Sequence, residues 1–231
     1  MVLPRYLAQT ATEMAGNPIP EFPAFLSCHF SPGGRGLSNL PRCLPPGAML
    51  ILDDSTPMDG HDPELVASQL SRLMEETHFD VLLLDFQRKN LPEQQELAVF
   101  LRNTLPCPVG ISEDYARELP CPVFLPPVPP DVPADKYLHP WQGREIWLET
   151  ALDGIDLTLT EAGCALEPLG DFPEDGHRDS KLHCHYTVET AASSARFRLW
   201  RTKEDLNELL EDLRSLGVTK AVGLWQELKG R

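Results

Sequence analysis

Residues His78 to Gln87 read His-Phe-Asp-Val-Leu-Leu-Leu-Asp-Phe-Gln, an apolar strand that ends in a carboxylate and then an amide. Strand side chains alternate, so Asp85 and Gln87 share one face with Leu83. In a (β/α) barrel the C-terminal end of a strand is where catalytic groups sit. Other acids end apolar runs in the same way. Asp53 and Asp54 follow Ala48 to Leu52, and because neighbours point to opposite faces only one of them can look inward. Glu113 and Asp114 follow Val109 to Ser112, and Glu227 follows Trp225 and Gln226. Two carboxyl groups held roughly 5 to 10 Å apart are the equipment of a glycoside hydrolase. Gln87 has the shape of a glutamate but carries no acidic proton.

The elements that would position these groups alternate between strand and helix. Leu65, Val66, Leu70, Leu73 and Met74 recur at helical spacing before the 81–86 strand, with Pro63 placed for the first turn. After it, Pro92 opens a second helix with Leu97, Phe100, Leu101 and Leu105 on one face. Leu105-Pro-Cys-Pro-Val109 recurs as Leu119-Pro-Cys-Pro-Val123, and each copy enters a short apolar strand. Phe25 to Phe30 is a further strand candidate, and residues 7–15 read as a short helix. From about 144 the texture changes to alternation: Ile146 to Leu148, Ile155 to Thr160, Leu182 to Val188 and Arg196 to Trp200, with Asp153-Gly154 as a hairpin signal. That stretch, approximately 144–195, reads as an antiparallel β-meander inserted in the barrel. Phe197 to Arg201, a helix capped by Thr202 and stopped by Gly217, and Ala221 to Trp225 read as the closing βαβ unit. The expectation is one α/β domain over 1–231, a short or irregular TIM-like (β/α) barrel carrying the insertion. Strands near 49–53, 81–86, 109–112, 122–125 and 220–225 are expected as parallel neighbours.

The 80–87 run resembles the signature strand of glycoside hydrolase family 18, the chitinase-like barrels, whose pattern is Asp-Gly-x-Asp-x-Asp-x-Glu. Asp80 matches the first Asp and Asp85 the third; Leu83 stands for the middle Asp and Gln87 for the Glu. In that family the Glu protonates the leaving oxygen and the Asp two residues earlier orients the attacking acetamido group of the substrate, a substrate-assisted exception among glycosidases. The resemblance therefore implies the scaffold with a degenerate catalytic motif: Asp85 kept, Gln87 in the acid position, and a sugar cleft with little turnover. It also implies that Trp225, at the end of the last strand, stacks under a sugar ring; the alternative is that Trp225 plugs the barrel. Asp153 to Thr160 begins like the same motif but has Thr where the last Asp and Glu belong, and is better explained as a hairpin.

The net charge of −15 disfavours nucleic acid and anionic membrane. No apolar run approaches a membrane span, and Met1 to Leu7 lacks the charged start and apolar core of a leader, so a cytoplasmic protein without disulfides is expected from its six cysteines. His183 and His185 have the spacing of a metal pair, yet no third ligand at a clear spacing accompanies them, and a solvent-facing strand explains them as well. No cofactor and no metal is expected. The function expected is a carbohydrate-binding or weakly active relative of family 18, with Asp85 and Gln87 in the catalytic positions and Asp53, Asp54, Glu113, Trp225 and Glu227 as ligand-binding candidates. Two alternatives stand beside it: a hydrolase of different chemistry that pairs Asp85 with a second strand-end carboxylate, and a protein-interaction module without a small-molecule site.

Overall fold

The computed structural model describes residues 3–58, 60–117 and 119–229. The first strand, β1 (Arg5–Gln9), gives way at once to helix α1 (Ala11–Gly16). Thr10 sets that boundary: its hydroxyl accepts from the Glu13 N–H and the Glu13 carboxylate accepts from the Thr10 N–H, a capping box. Next come β2 (Pro23–Phe30), the two-residue β3 (Leu37–Ser38) and β4 (Met49–Asp53). Helix α2 (Pro63–Thr77) starts where the Asp62 carboxylate accepts from the N–H groups of Glu64 and Leu65, and stops at His78, whose φ of 58° is left-handed. The chain continues through β5 (Val81–Asp85), α3 (Pro92–Thr104), β6 (Val109–Ser112), the single turn α4 (Glu113–Ala116), β7 (Val123–Leu125), α5 (Ala134–Leu138), a 3-10 turn over His139–Trp141 and β8 (Ile146–Thr150). A run of strands comes next: β9 (Gly154–Thr160), β10 (Gly163–Pro168), β11 (His177–Asp179), β12 (Cys184–Ala191) and β13 (Ser194–Trp200). Helix α6 (Lys203–Ser215), β14 (Val218–Leu224) and the single turn α7 (Trp225–Leu228) complete the described chain.

Among the described residues, eight parallel strands close into a barrel in the order β1-β2-β4-β5-β6-β7-β8-β14, with β14 pairing back onto β1. The interior is narrow and filled by Tyr6, Ala8, Ala24, Met49, Ile51, Val81, Leu83, Phe124, Trp147 and Val222. Trp147 is fully buried and occupies the space beside Gly110, where a Cβ would lie 2.3 Å from its ring. Its indole donates to Glu145 at 2.9 Å, and the Lys220 ammonium sits 4.6 Å from the ring centre. The larger apolar layer lies outside the wall, where Val66, Leu70 and Leu73 of α2, Leu97 and Leu101 of α3, and Leu206, Leu209 and Leu213 of α6 pack on the strands.

The second sheet is antiparallel, in the order β10-β9-β13-β12-β11, and is inserted between β8 and α6. Buried Arg201 ties it to the barrel. Its guanidinium donates to the carbonyls of His183 (3.1 Å) and Leu182 (3.3 Å) in the turn between β11 and β12, and to Val128 and Pro129 in the loop after β7.

Several expectations need correcting. Residues 146–150, read as the start of the meander, form a barrel strand, and the sheet runs to Trp200 rather than 195. Phe197 to Trp200 therefore pairs in the antiparallel sheet, and the closing unit joins β14 to β8 across α6. The four strands at 49–53, 81–85, 109–112 and 123–125 are consecutive parallel neighbours, while β14 is separated from them by β8. Asp153-Gly154 is not a hairpin turn; it carries the chain out of the barrel into β9. Arg5 to Gln9 is a strand where a helix from residue 7 was expected. The 14-residue echo does make a parallel crossover, with only the turn of α4 between β6 and β7. All six cysteines are unbridged, and among the described residues no helix is long and apolar enough to cross a membrane.

Candidate functional site

The C-terminal mouth of the barrel collects acids because successive parallel strands end in register. Asp53 pairs directly with Asp85 across β4 and β5, and His29 pairs with Asp53 across β2 and β4. Ile51 and Leu83 fill the interior one pleat below, so Asp53 and Asp85 project above them into the mouth. Trp147 does the same on the opposite side, which makes Glu149 the inward group at the end of β8.

A cleft of about 140 Å³ opens there, bordered by Asp85, Gln87, Ser112, Glu113, Phe124 and Glu149 among others. It is smaller than the roughly 300–1,000 Å³ of ordinary ligand pockets, which suits one ring-sized group. Among the described residues its one lining cation, Lys89, is already paired with Asp114 at 3.2 Å. Burial raises the pKa of Asp85; the Gln87 amide, which donates to its carboxylate, opposes the rise, and the charges of Asp53 and Asp54 add to it. Burial pushes Glu149 up to about 7, and Asp85, Asp153 and Glu227 reinforce the shift. Partly buried Glu149 therefore keeps its proton toward neutral pH, in the same cleft as the hydrogen-bonded Asp85.

The loop carrying Gln87 is rigidly held. The Asp54 carboxylate, 2% exposed, accepts from the N–H groups of Gln87 and Arg88, both at 2.9 Å, and from the Gln94 amide at 2.8 Å. The Tyr115 hydroxyl contacts the Gln94 side-chain oxygen and the Arg88 carbonyl, and accepts from Leu91 N–H. Ser112 Oγ donates to the Leu84 carbonyl at 3.2 Å and accepts from Phe86 N–H at 2.9 Å. These bonds fix the backbone that carries Gln87, whose exposed side-chain amide is held by its own bond to Asp85.

The sequence-derived candidates thus separate. Asp85, Gln87 and Glu113 line the cleft, and Asp53 stands beside Asp85. Asp54 lies beneath the loop as its anchor. Glu227 accepts from Leu152 N–H at 2.7 Å and reaches the mouth only through its charge on Glu149. Trp225 neither plugs the barrel nor borders the cleft; it lines a trough on the outer wall. Glu149 was missed. Ile146-Trp147-Leu148-Glu149 has the same apolar-run-then-acid form as Leu82 to Asp85, so the signal was present, but it was absorbed into the meander.

His183 bonds Asp212 at 2.9 Å and His185 bonds Asp205 at 2.8 Å, so the two imidazoles serve different carboxylates. Among the described residues no three His, Cys, Asp or Glu side chains converge as metal ligands. Burial pushes the Cys28 thiol up to about 12 and those of Cys107 and Cys184 to about 11, so none is a ready thiolate near neutral pH.

No protein-family model and no curated protein matches the chain. Solved structures do. The chain is similar to the spore cortex-lytic enzyme SleL of Bacillus cereus, with a TM-score of 0.56 and 11% identity over 96% of this chain and 70% of that one. A chitinase from Chromobacterium violaceum gives 0.56 and 10% over 96% and 93%, and the C-terminal domain of a putative chitinase from Desulfitobacterium hafniense gives 0.53 and 9% over 97% and 94%. At these identities the likeness establishes the fold: a (β/α) barrel resembling those of chitinase-like hydrolases.

Proposed function

We propose that the protein is a carbohydrate-binding relative of family 18 glycoside hydrolases whose mouth cleft holds a sugar ring without efficient hydrolysis. The observation that carries this reading is the pairing of Asp85 with Gln87. On this reading the Asp85 carboxylate, at the end of β5, takes the part of the family's orienting Asp, and the Gln87 amide bonded to it, carried on the Asp54-anchored loop, stands for the proton donor. The acidic lining suits a neutral polyol and repels anionic ligands. The whole chain is read as one barrel domain with the antiparallel sheet as an insertion. A cytoplasmic location belongs to the same reading and draws on the six unbridged cysteines.

The test is a paired hydrolysis assay on N-acetylglucosamine oligomers. Wild type is expected to be inactive, and Gln87→Glu to gain turnover, since a positioned general acid commonly contributes a factor of about 10² to 10⁴. Failure of Gln87→Glu to gain any turnover while its fold is intact counts against the family chemistry at this strand.

A second reading is favoured by one specific feature. Asp85 and Glu149 border the same cleft, and Glu149 is the carboxyl held near pKa 7. In that arrangement Glu149 donates the proton and Asp85 acts on the opposite side, a hydrolase of different chemistry. It requires wild-type turnover that survives Gln87→Ala and disappears in Glu149→Gln.

A further inference from the structure

A hollow larger than the mouth cleft lies away from it. A trough of about 1080 Å³ runs along the outer face of β1, between α6 and the segment preceding β2. In a (β/α) barrel the outer face of each wall strand is normally covered by a packed helix. Here α1 buries none of its residues, and Leu7 on the outside of β1 and Leu3 just before it are only partly covered. Helix α6 packs Leu206, Leu209 and Leu213 into the core and turns a second stripe, Lys203, Asn207, Leu210 and Arg214, to the trough at helical spacing. Leu7, Phe22, Leu210, Trp225 and Leu228 make the trough largely apolar.

Its charge is opposite to that of the molecule. Arg5, Lys203, Arg214 and Lys229 outnumber Glu21 and Glu211 along the lining, on a chain whose net charge is −15. Among the described residues none of these four cations forms an ion pair. The partly buried Arg5 guanidinium is met only by the Asn207 side-chain oxygen at 2.9 Å, and the Lys203 ammonium only by the Lys229 carbonyl at 2.7 Å. Unpaired cations around an apolar floor call for an occupant that brings both acceptors and apolar side chains.

We propose that this trough is a docking surface for an amphipathic helix of a partner chain, one with an apolar stripe flanked by Asp and Glu. The helix would occupy the uncovered outer face of β1, set its apolar stripe on the partly exposed Leu3, Leu7 and Phe22, and place carboxylates against Arg5 and Arg214. A small amphiphilic anion satisfies the cations but covers less of the floor, so the helix is the better fit.

The experiment uses the full chain and a synthetic helical peptide roughly four turns long, with leucines at every third or fourth position and glutamates beside them. A matched peptide carrying lysines for the glutamates is the control. The glutamate peptide is expected to bind one to one by calorimetry and to shift the NMR signal of the Trp225 indole, identified by its loss in Trp225→Phe. The double variant Arg5→Ala/Arg214→Ala should weaken binding at least about tenfold. So should Asn207→Asp, which supplies Arg5 with an internal carboxylate and leaves the trough's shape unchanged. Absence of binding, equal binding of the lysine peptide, or binding that is indifferent to these variants would overturn the proposal. Self-association of the protein that Arg214→Glu abolishes would overturn it too, by showing that a second copy fills the trough.

Discussion

Replacing Glu149 by Gln removes a titration that folding has displaced, so its effect should appear as a pH dependence of stability. Glu149 moves from an ordinary value of 4.5 to about 7 in the folded protein, with burial as the main cause. The folded state therefore keeps its proton up to about pH 7, whereas the unfolded chain sheds it near 4.5. Between those limits the folded state binds more protons, and wild-type stability falls as pH rises. The penalty is absent below 4.5 and complete above about 7. At about 1.4 kcal/mol per pKa unit the full displacement corresponds to roughly 3 kcal/mol. Glu149 retains partial contact with solvent, so screening reduces the expectation to about 1 to 2 kcal/mol. Glu149→Gln keeps the shape and loses the charge. Urea unfolding of both proteins from pH 4 to 8 should therefore show the variant gaining about 1 to 2 kcal/mol on wild type across the series, with the gain concentrated between pH 5 and 7. Asp85 adds to the same trend, because losing a neighbouring charge eases its ionisation. Parallel stability curves for the two proteins would refute the reasoning, because Glu149 would then be ionising as freely folded as unfolded.

The packing sets three further expected outcomes. Gly110→Ala drives a methyl to within 2.3 Å of the fully buried Trp147 ring, and overpacking at so enclosed a place should cost about 2 to 3 kcal/mol in urea unfolding. Arg201→Met leaves the carbonyls of Val128, Pro129, Leu182 and His183 without their donor; a loss of about 3 kcal/mol is expected, with faster hydrogen exchange in β12 than in β5. Asp54→Ala frees the N–H groups of Gln87 and Arg88, and should cost about 2 kcal/mol while raising exchange across residues 86–91.

How much of the fold could be read from the sequence depends on the strength of local signals. Helices α2, α3 and α6 declared themselves by periodic leucines and by their starts, Pro63 in α2, Pro92 in α3 and the cap Thr202 in α6, and β5 was plain because an unbroken apolar run lay between two of them. That was enough to place Asp85. Strand β1 was hidden because Arg5 to Gln9 is short and runs into the helix begun by Thr10, so the two merged into one helical pattern. Strand β8 was hidden by its C-terminal neighbours: the alternation of β9 and the Asp-Gly pair at 153–154 made Ile146 to Thr150 look like part of a meander. Glu149 was lost with it. The choice between Asp53 and Asp54 needed strand register, which aligns Asp53 with Asp85 and leaves Asp54 beneath the loop. Trp225 lay beyond reach for a related reason: it comes directly after the last residue of β14, where α7 turns the chain toward the outer wall.

On the proposed reading the barrel mouth, through Asp85, holds a sugar. Calorimetric titration of wild type and Asp85→Ala with N-acetylglucosamine oligomers tests it most directly. The predicted result is saturable binding by wild type, no release of reducing ends during the titration, and at least about tenfold weaker binding by a folded Asp85→Ala, the loss expected when a charged hydrogen-bonding partner is removed. Binding that Asp85→Ala leaves unchanged, or no binding by wild type to any oligomer tested, would contradict the account.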